Sequence, residues 1–169
     1  SAEGGTDIDN YWAGYISSFN SNGFSIDKEG SGAIDWANYN KSGDKYSAWS
    51  FRKSAGFFDI VTYTGNGSSR TISHSLGSIP GMIIIKNTSS ADNWVVYHRT
   101  LKATHHVRLN QTNASASSMT MFNDTEPTAS VFSVSINSSV NTNGDDYVAY
   151  IFAGGGSTAA TARSVNFDG

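Results

Sequence analysis

Residues 57–99 constrain the fold more than any other stretch, because they alternate with a period of two and stop every few positions at turn formers. Residues 57–63 are rich in aromatic and β-branched side chains. They run into Thr64-Gly65-Asn66-Gly67, where glycine and asparagine tolerate the positive φ that a hairpin turn needs. Ile72, His74 and Leu76 then share one face of an extended chain, and Thr71, Ser73 and Ser75 the other. Gly77-Ser78-Ile79-Pro80-Gly81 interrupts, since Pro80 has no N–H to give to a ladder. Met82 to Ile85 is wholly apolar, the pattern of a strand buried on both faces, and a further strand is expected over 94–99.

The same residues carry a resemblance. FDIVTYTGNG, then HSLGSIPGMIIIKN, then NWVVYHR, resembles a repeated module in virion and tail-fibre proteins of marine bacteriophages. The shorter H-x-L-G-x-x-P element is similar to a pattern at phage fibre tips. The resemblance implies a virion surface or extracellular protein and hands over no catalytic residue.

The rest of the chain reads as more short strands. Residues 19–26 suggest two strands about an Asn22-Gly23 turn, and 46–51 a strand with Trp49 and Phe51 on one face. Strands are also expected at 107–109, 119–122, 131–136 and 147–153. In the third of these, Phe132, Val134 and Ile136 would point inward and Ser133 and Ser135 outward. No helical period persists over about ten residues. With turn signals at roughly 8–12-residue spacing, the expected fold is all-β, an antiparallel β-sandwich of jelly-roll type.

Residues 40–51 match 141–152 as a repeat: Asn40, Gly43, Asp44, Tyr46, Ala48 and Phe51 recur as Asn141, Gly144, Asp145, Tyr147, Ala149 and Phe152. Trp49 answers Tyr150, which places both inward. Phe19-Asn20 answers Phe122-Asn123, and Phe24-Ser25-Ile26 answers Phe132-Ser133-Val134. The expected organisation is therefore half a module over 1–53, a complete module over 54–153, and a Gly/Ser/Ala linker with the start of a following segment over 154–169. The segment 162–169 resembles the opening strand of concanavalin-like sandwiches. Half a sandwich leaves an apolar face uncovered, so a neighbouring subunit or the body of 54–153 is expected to complete it.

Composition narrows the function. The chain of 169 residues is 15% charged with a net charge of −3, and holds no cluster of cations to neutralise phosphates, so no nucleic-acid partner is expected. It lacks cysteine, which rules out disulfides and thiolate ligands. No apolar run nears the roughly 20 residues of a membrane span.

Candidate chemistry is sparse. His74, between two inward apolar residues, suits a core imidazole bonded to backbone better than a base. His98 with His105 or His106 falls short of a zinc site, because neighbours on a strand face opposite ways. The segment 141–146 has the oxygen spacing of a calcium loop. In the first copy, however, Lys45 replaces Asp146, and a hairpin turn explains the glycine equally well. No cofactor or metal is expected. The acids Asp92, Asp124, Glu126, Asp145 and Asp146 fall in turns, and no pair stands out for glycoside hydrolysis. The remaining candidates are Trp94 as a partly exposed stacking platform and His98, Arg99 and Arg108 as a binding patch for an acidic sugar. Two functions follow as expectations. One is a non-catalytic structural module of a phage virion appendage or surface fibre that oligomerises through strand and sandwich contacts. The other is a carbohydrate-binding adhesin for host-surface glycans.

Overall fold

Ten strands and two helical turns of four residues make up residues 15–27 and 45–154, the part of the chain that the computed structural model describes. The chain divides into two units, Glu3–Ser50 and Phe51–Gly169. In the first, β1 (Tyr15–Asn20) and β2 (Gly23–Asp27) form an antiparallel hairpin; Asn20 pairs with Gly23, so the turn residues are Ser21-Asn22, one position before the expected Asn22-Gly23. Residues 45–50 are not a strand, and Trp49 is 83% exposed, so the expected inward strand over 46–51 is not formed. The expectations for 28–44 and for the 155–169 linker lie outside the described residues.

The second unit is an antiparallel two-layer fold. One layer is a six-stranded sheet in the order β3 (Phe58–Thr64), β10 (Asp146–Ala153), β5 (Pro80–Asn87), β6 (Val95–His98), β7 (His105–Arg108), β8 (Ala116–Ser117). The other is a ribbon of β4 (Arg70–Ser73) and β9 (Val131–Val134), extended by α1 (Met119–Phe122) and α2 (Ser138–Asn141). The core lies between them. Ile83, Ile85, Val95, Tyr97, Tyr147, Ala149 and Ile151 of the sheet meet Ile72, Phe132, Val134, Met121, Phe122 and Val140. The all-β antiparallel sandwich is thus the fold, with the second layer much smaller than the first.

Several local expectations are corrected. Thr64-Gly65-Asn66-Gly67 does not close a hairpin: β3 pairs with β10, while β4 leaves for the other layer and pairs with β9. Gly67 has φ 69°, but Gly65 is glycine for space, since a Cβ there would sit 2.0 Å from the Thr142 carbonyl oxygen. Residues 119–122 form a helical turn ended by Asn123 at φ 54°, a left-handed cap that asparagine tolerates. In β9 and beyond, Ser133 and Ser135 are buried and Ile136 is exposed, because the ribbon is enclosed where Ser69 Oγ meets Ser135 Oγ at 2.8 Å. The run at Met82 to Ile85 is buried fully on one face only: Ile83 and Ile85 enter the core, while Met82 and Ile84 stay half-buried.

The H-S-L-G-x-x-P element is a structural joint. Asp59 Oδ2 accepts the Ser75 N–H at 2.6 Å, the Leu76 carbonyl accepts from Gly56 N–H at 2.6 Å, and Gly77 sits at φ 71°. Pro80, the first residue of β5, makes no demand for a ladder donor.

Candidate functional site

Residues paired directly across an antiparallel ladder share a face, so register assigns the expected site residues to sides of the sheet. Val95 and Tyr97 point into the core, which puts Trp94, Val96 and His98 on the outer face. Arg108 pairs with Val95 and therefore lies on the core side, away from His98. The four expected residues do not form one patch.

Trp94 is half-buried and stacks on Tyr150, with centroids 6.2 Å apart and planes at 23°. Beside it, Asn93 Oδ1 accepts from Asn110 Nδ2 at 3.1 Å and from Gln111 Nε2 at 2.9 Å. Asn110 Oδ1 in turn accepts the Trp94 N–H at 3.1 Å. Tyr150 was expected inward as the counterpart of Trp49; it faces outward, against the Trp94 ring. His98 and Arg99 are exposed and line one shallow depression of about 350 Å³ with Gly81, Phe152 and Gly154. Arg108 is half-buried and gives Nη1 to Gln111 Oε1 at 3.2 Å, while its Nε has no acceptor.

The outer face is apolar across its width. Ile60, Tyr150, Ile84, Val96 and Val107 stand in one cross-strand row over β3, β10, β5, β6 and β7. At about 4.8 Å per strand the row spans roughly 19 Å. Ile60, Ile84, Val107 and Tyr150 remain partly or well exposed along it. At one end Phe51, Phe58 and Phe152 cluster, with centroids 4.9 to 5.5 Å apart.

The acids and imidazoles are held in local bonds. Asp59 is buried and meets Lys53 Nζ at 2.6 Å. Burial alone would raise its carboxyl, but Lys53 and the N–H groups of Ser75 and Ile60 outweigh it and hold the group below the ordinary 3.8. Burial depresses His74, against a partial rise from the Thr128 carbonyl and Asp59. Its Nδ1 accepts the Leu76 N–H at 3.2 Å, so Nε2 gives the proton to Thr128 O at 3.3 Å. His106, on the core side of β7, is depressed by burial and then by Arg108, and its Nδ1 lacks a partner. Glu126 accepts from Tyr97 OH at 2.7 Å and Ala103 N–H at 2.9 Å, and burial with that bond raises the phenol.

The calcium-like segment is a hydrogen-bonded turn. Asn141 is fully buried, and its amide bonds the Ser68 and Ser135 carbonyls at 2.7 and 2.9 Å. Asp145 Oδ2 accepts from Asn87 Nδ2 at 2.8 Å, and Asp146 Oδ1 from Thr64 Oγ1 at 2.7 Å. Among the described residues, no three His, Cys, Asp or Glu side chains cluster as a metal site.

Tyr150, Phe152, Gly81 and Gly154 escaped the reading of the sequence. Both alternating sets of β10 are apolar (Tyr147, Ala149, Ile151 against Val148, Tyr150, Phe152), so periodicity could not tell inner from outer. A family model matches residues 3–160, and its description is "Domain of unknown function (DUF7483)". No curated protein and no solved structure matches the chain.

Proposed function

The chain belongs to this family of domains of unknown function, and we propose that it is a non-catalytic structural module of a phage virion appendage or surface fibre, joined to copies of itself through the outer face of its large sheet. The observation that carries this is the apolar row from Ile60 to Val107, with Ile60 40% exposed at its edge. Ile60, Tyr150, Ile84 and Val107 leave apolar surface open on either side of the buried Val96, and burying that surface against a copy is favourable. Face contact is favoured over strand addition because the β3 edge is largely occupied. Ser54 exchanges both backbone bonds with Phe58, Asp59 Oδ1 takes the Ile60 N–H, and Arg70 Nη2 bonds the Thr64 carbonyl. Such capped edges resist pairing. Asp59, His74 and Glu126 join separate segments, which fits a scaffold, and the motif run HSLGSIPGMIIIKN resembles phage fibre modules.

Light scattering of the full chain tests this. An oligomer is expected that Ile60→Lys and Ile84→Lys dissociate without altering the circular dichroism spectrum. A wild-type chain that stays monomeric at the highest attainable concentration would refute it.

A second reading, a carbohydrate-binding adhesin module for host-surface glycans, is favoured by the Trp94–Tyr150 stack and the amides of Asn93, Asn110 and Gln111 beside it. Flat aromatics take the C–H face of a sugar while amides bond its hydroxyls. Trp94→Ala is expected to abolish calorimetric binding of neutral oligosaccharides. Unchanged binding in that variant would remove the platform from the reading.

A further inference from the structure

The turn that ends β6 carries two cationic or donor groups that the fold itself does not use. Backbone bonds fix the turn: Leu101 N–H donates to the His98 carbonyl and Arg99 N–H to the Gly81 carbonyl, each at 2.9 Å. His98 Nδ1 accepts the Thr100 N–H at 3.3 Å, which leaves Nε2 as the donor nitrogen of the neutral ring. The Arg99 guanidinium is exposed and makes no ion pair or hydrogen bond among the described residues.

Both side chains line the depression of about 350 Å³, at the small end of the roughly 300–1,000 Å³ span of ligand sites. Two glycines shape it. A Cβ on Gly154 would lie 2.8 Å from Arg99 Nη1, and one on Gly81 would lie 2.5 Å from the Gly154 Cα. Met82 and Phe152, paired across β5 and β10, supply its apolar side. None of the lining residues, among the described residues, carries a carboxylate. The guanidinium fork matches a carboxylate in two parallel bonds, and an apolar wall beside it suits a sugar ring.

The geometry points to a carboxylate-binding site at His98 and Arg99 whose ligand is the acid group of a uronate in a surface glycan. This inference deepens the carbohydrate-binding reading, and its glycan half rests on that reading. Trp94 stands on the same outer face four residues earlier in the strand, about 13 Å away by the rise per residue, so one acidic oligosaccharide reaches both. The net charge of −3 means that an acidic ligand is recognised at this point rather than drawn in by the whole surface.

Calorimetric titration of the full chain with trigalacturonate, the neutral galactose trisaccharide and free glucuronate tests the site. Trigalacturonate is expected to bind at least about tenfold more tightly than the neutral trisaccharide, and Arg99→Gln to erase that difference while sparing the neutral ligand. Arg99 is exposed, so the variant keeps the fold, checked by its amide NMR spectrum. Equal binding of acidic and neutral trisaccharides, unaffected by Arg99→Gln, overturns the carboxylate site and leaves the glycan reading standing. Binding of glucuronate and trigalacturonate with one affinity, lost in Arg99→Gln, with none of the neutral trisaccharide, supports the carboxylate site and sinks the glycan reading. No binding of any of the three overturns both.

Discussion

Asp59 shows how one residue can hold two segments at once. It is buried in β3, yet Lys53 and the Ser75 N–H reach it from either side in sequence. Asp59→Asn removes the charge from these bonds and is expected to cost about 1–3 kcal/mol, read by urea unfolding. Because its folded pKa is lowered, its contribution is complete above 3.8 and lost as pH falls through the folded value. His74 and His106 act at higher pH. Both are depressed by burial, so below the ordinary 6.5 the unfolded chain takes up protons that the folded one refuses. Melting temperature is therefore expected to fall as pH drops below 6.5, and more gently in His74→Gln. A flat wild-type profile between pH 7 and 5 would contradict the assignment. Tyr147 is a third anchor: its hydroxyl donates to the Ser138 carbonyl at 2.6 Å and accepts from Thr142 N–H at 2.8 Å. Tyr147→Phe strands both and should cost about 1–3 kcal/mol in the same measurement.

At the scale of elements, close approach of backbones sets the demands. Gly65 fits against Thr142 with no room for a methyl group. Gly65→Ala is expected to destabilise by about 1–3 kcal/mol, whereas Gly23→Ala, with open space around the Cβ, should change stability by a few tenths. Equal melting temperatures for the two variants would show that the 65–67 turn yields. Such contacts explain what was and was not legible in the sequence. The alternation Ile72, His74, Leu76 came through, because it depends on one strand facing one core. Strand existence at 82–85, 94–99 and 147–153 came through for the same reason. Pairing partners did not: nothing local in 64–67 tells a hairpin from a crossing between layers, since both need glycine. The inner face of β10 was hidden because both its faces are apolar. The half-buried position of Trp94 was legible from its place at a strand start. The separation of Arg108 from His98 was not, as it depends on the register of β6 with β7.

At the scale of the whole molecule, sequence repetition and structural repetition part company. Residues 147–152 lie in β10, between β3 and β5 in the six-stranded sheet, but 46–51 form no strand. Phe24-Ser25-Ile26 lies in a hairpin with β1, while Phe132-Ser133-Val134 pairs with β4. Every residue of the main core cluster lies between Ile72 and Ile151, so the second unit holds its own interior. A fragment of residues 51–154 is therefore expected to unfold in one cooperative step. A fragment beginning at Ser54 should be less stable by about 1–3 kcal/mol, because it loses the Lys53–Asp59 ion pair and the Phe51 ring that packs edge-on against Phe152 at 5.4 Å. Urea unfolding of the two fragments side by side decides it. If they share a midpoint, the residues just before β3 are a tether and not part of the second unit's interior; if neither unfolds cooperatively, that interior depends on the first fifty residues.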